Sequence, residues 1–81
     1  MQTWGTMSEA KQMRIVPLEL RVGDRLIDET GEWEVIRPPF AIAAGRTVHA
    51  IVRKVGGPIL TDLRTWDAHA SITVKRMASG A

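Results

Sequence analysis

The sequence predicts an all-β protein of one domain, with five short strands curled into a small barrel. Three observations predict it. Several stretches of strand length alternate apolar and polar residues at period two. Turn signals built on Gly, Pro and Asp separate those stretches at close intervals. No window repeats apolar residues at the spacing of an amphipathic helix. The chain has 81 residues, enough for a single modest core.

Residues 1–12 read as a mobile arm. They are polar, contain Gly5 and show no period, with Trp4 as the one bulky apolar group. The stretch MRIVPLEL is apolar enough for a first strand. Pro17 lacks an N–H and marks that segment as an edge or an irregular lead-in. In RVGDRLID, Gly23-Asp24 signals a turn and Arg25 to Asp28 a short strand. Glu29-Thr30-Gly31 is a tight turn ending in a glycine free to take positive φ. EWEVIR then alternates, with Trp33 and Val35 on one face and Glu32, Glu34 and Ile36 on the other.

Pro38-Pro39 interrupts the ladder, and Phe40-Ala41-Ile42 reads as a bent strand or loop that packs Phe40 or Ile42. A turn follows at Ala44-Gly45. RTVHAIVRKV is the strongest strand segment, rich in β-branched side chains, with Val48, Ala50 and Val52 on one face. Gly56-Gly57 supplies a hairpin turn, and Pro58 opens ILTDLRTW. The four residues DAHA are too few for an α-helix and read as one 3₁₀ turn. SITVKR is the last strand, Ile72 and Val74 facing inward, and 77–81 form a tail. The domain therefore spans 13–76, and its expected core is Leu26, Trp33, Val35, Val48, Val52, Leu63, Ile72 and Val74.

Five strands in a meander, an opening Arg-Val-Gly-Asp turn and a short 3₁₀ turn before the last strand resemble the SH3-like small barrel over roughly residues 14–76. The stretches LRVGDRLIDETGEWEVI and VRKVGGPILTDLRTWDAH are similar to short accessory proteins of actinobacterial phages and their hosts. That group has no established activity, so the resemblance implies a fold and a setting and assigns no site residue.

Composition narrows the function classes. Cysteine is absent, which removes disulfides, thiolate nucleophiles and thiolate zinc sites. A small secreted domain usually carries disulfides, so a reducing, cytoplasmic setting is expected. No apolar run approaches the ~20 residues of a membrane span, and MQTWGTMSEAKQ lacks the apolar core of a signal peptide. The net charge of +2 is polarised: residues 1–37 hold seven acidic and five basic side chains, and residues 38–81 hold six basic and two acidic.

The densest chemical cluster is Trp66-Asp67-Ala68-His69. As a catalytic group it needs a nucleophile; Ser71 is near, but no nucleophile elbow or oxyanion loop accompanies it. It reads better as a corner, with Trp66 closing the core end, Asp67 capping a turn and His69 half exposed. His49 and His69 are the only histidines and no acidic residue sits at ligand spacing to them. Glu32 and Glu34, two apart on a strand, read as a solvated face. No phosphate-cradling glycine motif occurs. An enzyme is thus not expected, nor a metal or cofactor.

Binding is what remains. Arg46, Arg53, Lys54, Arg64, Lys75 and Arg76 form a basic stripe if their strands are neighbours. Such a stripe tracks phosphates and predicts sequence-tolerant nucleic-acid binding that weakens with salt. The alternative is a protein adaptor or inhibitor, phage-encoded and directed at a host protein. It would use an edge strand and the Pro38–Gly45 loop, with Phe40 and Ile42 as contacts.

Overall fold

The structure, a computed structural model, describes residues 10–77. Seven strands form: β1 (Ala10–Ile15), β2 (Arg25–Asp28), β3 (Gly31–Val35), β4 (Phe40–Ile42), β5 (Thr47–Lys54), β6 (Thr61–Asp67) and β7 (Ile72–Met77). All belong to one antiparallel sheet in the order β1-β7-β2-β3-β5-β4, with β6 on the other edge of β5. The sheet curls into a half-barrel.

The all-β class stands, while the expectation of five strands is corrected to seven. MRIVPLEL contains one strand end and a 3₁₀ turn: β1 stops at Ile15, and Pro17–Glu19 winds. Proline at the first helical position has its φ already set. Glu19 closes the turn, its N–H donating to Val16 O at 2.9 Å while its Oε1 accepts the Val16 N–H at 3.2 Å. That is the one 3₁₀ turn among the described residues, and it follows β1. The turn expected before the last strand is a simple β-turn, because Asp67 stays in β6 and Ala70 N–H donates to its carbonyl at 3.0 Å. Phe40–Ile42 forms a strand of its own, paired to Thr47–His49 of β5. The turn between them holds Ala43 and Ala44 at φ 54° and 57°, a left-handed conformation that costs a non-glycine residue about 1–2 kcal/mol. Strand β1 covers Lys11 and Gln12, inside the stretch read as an arm; Trp4 lies outside the described residues, as does the tail beyond Met77.

The core lies in the concavity. Leu26, Trp33, Val35, Val52 and Val74 pack there as expected, joined by Ile15, Leu20 and Ala50, with Met13, Trp66 and Ile72 packed against them. Val48 is fully buried as well. Leu63 is the correction: it is 50% exposed. It pairs with Ile51, on the outer face of β5. The last strand is locked by a buried ion pair. Asp24, 2% exposed, accepts Arg76 Nε at 2.8 Å and Nη2 at 2.7 Å. Asp24 also accepts the Arg21 N–H at 2.9 Å, so one carboxylate shapes the Arg-Val-Gly-Asp turn and fastens β7 to it.

Candidate interaction surfaces

Strand register sorts the six cations of the expected stripe onto different faces. Lys54 pairs with Trp33, and Arg64 with Ala50, on the inner side. Arg76 also turns inward, to Asp24. Arg53 pairs with Glu34 and Lys75 with Arg25 on the outer side. Arg46 stands in the β4–β5 turn. Strands β6 and β7 are not paired, so no ladder carries Arg64 to Lys75.

Four of the six hold partners within the chain. Arg76 is bidentate to Asp24, which raises its pKa further by stabilising the charged form. Arg53 reaches Glu34 at 3.3 Å. Lys54 and Arg64 converge on the indole of Trp33, the Lys54 ammonium 5.3 Å and the Arg64 guanidinium 4.8 Å from a ring centroid. Both positions suit cation–π attraction. The β2–β3 turn organises this group. Lys54 Nζ donates to Thr30 O at 2.7 Å and Arg64 Nη1 to Asp28 Oδ2 at 2.8 Å. Trp33 Nε1 donates to Thr30 Oγ1 at 3.0 Å, and that hydroxyl donates to Asp28. Hydrogen bonds from Thr30 and then Arg64 hold the Asp28 carboxyl well below the usual carboxylate range. Gly31 is required here. Its φ is 126°, and a Cβ would stand 2.7 Å from Lys54 Cε.

The Trp66–His69 segment is a corner. Asp67 Oδ1 accepts the His69 N–H at 2.8 Å, so its carboxylate serves the turn backbone. His69 is exposed, and Trp66 points into the half-barrel. Glu32 and Glu34 lie outside the barrel, paired with Arg25 at 2.8 Å and with Arg53. Among the described residues no three His, Asp or Glu side chains gather as a metal site would need.

The outer face of β4, β5 and β6 sets four apolar side chains among polar ones, with Phe40, Ile42 and Leu63 exposed and Ile51 half-buried. Phe40 pairs with His49 and Ile42 with Thr47 across β4–β5; His49 pairs with Thr65 and Ile51 with Leu63 across β5–β6. Phe40 and Ile42 are 47% and 41% exposed. The Phe40 and His49 rings sit 5.4 Å apart, and His49 Nδ1 is 2.8 Å from Thr65 Oγ1. Phe40, Ile42, Ile51 and Leu63 thus share one face around a His–Thr pair. Phe40 and Ile42, expected as contacts, lie on this face, and Ile51 and Leu63 lie beside them. The signal for Leu63 was present: Trp66 and Leu63 are an odd number of residues apart, so an inward Trp66 turns Leu63 outward. A smaller basic group lies on the outer side of β1–β7–β2, where Lys75 pairs with Gln12 and Arg25, and Arg14 with Thr73.

No helix among the described residues is long and apolar enough to cross a membrane. Comparison of the chain with protein-family models, with curated proteins and with solved structures found no match to any of them.

Proposed function

We propose that the chain is a non-enzymatic, protein-binding module on a small barrel of the SH3-like kind. Its docking surface is the outer face of β4–β5–β6, and its partner presents an apolar segment to Phe40, Ile42, Ile51 and Leu63. One observation carries this reading: those side chains share one face, on which Phe40, Ile42 and Leu63 are exposed, while Arg53, Lys54, Arg64 and Arg76 are engaged inside the chain. Apolar side chains gathered on one exposed face mark an interaction site more often than singly scattered ones do. In the setting suggested by the phage-like stretches, the partner is a host protein.

A second reading keeps nucleic acid as the partner and moves it to Arg14, Arg25 and Lys75. Their common position on the outer side of β1–β7–β2 favours it. A photo-crosslinking amino acid placed at Phe40 or at Lys75 in expressing cells separates the two. Protein docking predicts a discrete, protease-sensitive adduct from position 40. It also predicts no shift of duplex DNA at ~50 mM salt and tens of micromolar protein, conditions that capture typical non-specific binding. A nuclease-sensitive adduct from position 75, with a salt-dependent gel shift and no adduct from position 40, overturns it.

A further inference from the structure

Strand β6 has one paired edge and, among the described residues, one open edge. Its pairing with β5 decides which backbone groups face the opening. Lys54 N–H donates to Leu60 O at 2.8 Å and Ala68 N–H to Arg46 O at 2.9 Å. Hydrogen-bonded pairs alternate along an antiparallel ladder. Asp62, Arg64 and Trp66 therefore turn their N–H and C=O groups toward β5, and Thr61, Leu63 and Thr65 turn theirs outward. The strand is seven residues long and free of proline, a form that invites a further strand. Two details stand out. The outward Leu63 N–H donates to its neighbour Asp62 at 2.9 Å. Arg64 Nε is buried without a hydrogen-bond partner, 3.4 Å from Asp62 Oδ2.

We propose that β6 pairs antiparallel with β6 of a second copy of this chain, about a twofold axis through Leu63. Charge selects this register. With Leu63 facing Leu63 of the second copy, Asp62 faces Arg64 of that copy on the inner face, twice over by symmetry. Thr61 faces Thr65 on the outer face, and Leu60 meets Trp66 at each end. Moving the axis by one residue sets Arg64 against Arg64, or Asp62 against Asp62. Like charges directly opposite destabilise a strand pair, whereas opposite charges and Thr–Thr pairs support it. Asp62 changes partner on association. It releases the Leu63 N–H, which the Leu63 carbonyl of the second copy takes up, and turns to the guanidinium opposite. In the monomer the same carboxylate covers the edge. Pairing sets the two outer faces side by side, with the two Leu63 side chains at the junction, so a partner meets one doubled surface.

Sedimentation equilibrium of the full chain, carried to about 1 mM to reach the weak end of the affinity scale, should show the apparent mass rising from monomer toward dimer. Asp62→Arg uncovers the Leu63 N–H but places like charges opposite one another, so it should stay monomeric throughout. The chain has no cysteine, so single substitutions report the register. Facing residues of a hydrogen-bonded pair stand about 5.5 Å apart between Cα atoms, within disulfide range. Two copies of residue 65 stand about 13 Å apart along the strands. Under mild oxidation Leu63→Cys should form a covalent dimer at least tenfold faster than Thr65→Cys. A wild type that remains monomeric at 1 mM, an Asp62→Arg variant that associates as well as wild type, or faster crosslinking from position 65 overturns the proposal.

Discussion

Strands β5 and β6 run side by side in register, from Thr47–Asp67 to Arg53–Thr61, yet they turn different kinds of side chain to the inner face. The inner face of β5 is Val48, Ala50 and Val52, all fully buried. The inner face of β6 is Asp62, Arg64 and Trp66, while its leucine turns outward. The difference follows from position. β5 is flanked by β6 on one side and by β3 and β4 on the other, so its inner groups are cut off from water and must be apolar. β6 lies at an edge, where a guanidinium can rest on the Trp33 ring, reach Asp28 and remain partly hydrated. Inward charge on an edge strand also discourages indiscriminate pairing. A strand's place in the sheet, and not its hydrophobicity alone, decides what its inner face tolerates.

The comparison breaks most visibly at the residue both strands lean on. Trp33 is 5% exposed, pairs with Leu26 and Lys54, and carries the Arg64 guanidinium. Trp33→Ala should cost about 3–5 kcal/mol, enough to unfold a domain of this size at room temperature. Circular dichroism of a variant that keeps native β signal would refute that placement. Arg64→Ala probes the β6 side alone. It removes packing on the indole and the bond to Asp28, and should cost about 1–2 kcal/mol in chemical denaturation. A loss as large as that of Trp33→Ala would make the inner face of β6 equivalent to that of β5.

Acid sharpens the same contrast. Asp28 is held well below its ordinary pKa by Thr30 and Arg64. A group whose folded pKa is lowered stabilises the protein above its unfolded pKa, and this contribution is lost as pH falls through the folded one. It should therefore be whole at neutral pH and decline below roughly pH 4, the ordinary carboxylate value. Melting temperatures of wild type should fall more steeply than those of Asp28→Asn between about pH 5 and pH 2; parallel curves would show that the Asp28 pairing is not formed. The smallest effects belong to the outer positions. Leu63→Ser and His69→Ala should each change the stability of dilute protein by no more than about 0.5 kcal/mol. A buried leucine would cost about 2–5 kcal/mol, so a value in that range would move Leu63 into the core.

Much of the fold is legible in the sequence because period-two alternation is local. Val48, Ala50 and Val52 name their own face, and Trp33 and Val35 do the same. The strand around Leu63 misleads because TDLRTWD offers an apolar residue to each face. The spacing forces Trp66 and Leu63 to opposite faces, and the partners, Ala50 opposite Arg64 and Ile51 opposite Leu63, fix Trp66 as the inner one. The basic stripe fails to gather for a related reason. Arg53 and Lys54 are consecutive and so oppose each other across the sheet, and Arg64, Lys75 and Arg76 find or miss acidic neighbours through pairings no local pattern displays. Phe40 and Ile42 stand out in the sequence because the prolines before them isolate a short apolar run from the core strands, and both are exposed.

The place of β7 has a consequence for how the chain is made. This last described strand sits between β1 and β2, and Arg76 closes onto Asp24 across 52 intervening steps of sequence. Before β7 leaves the ribosome, β1 has no partner among the described strands, and the Asp24 carboxylate lacks its guanidinium. The hairpins of β2–β3 and β5–β6 can form early, but the half-barrel waits for β7. Synthesis at about 5–20 residues per second therefore leaves Val35, Val52 and their neighbours exposed for seconds. A chain that ended before β7 would keep the core residues of β2, β3 and β5 but lack Val74 and the Arg76 clasp on Asp24, and would have no means of closing.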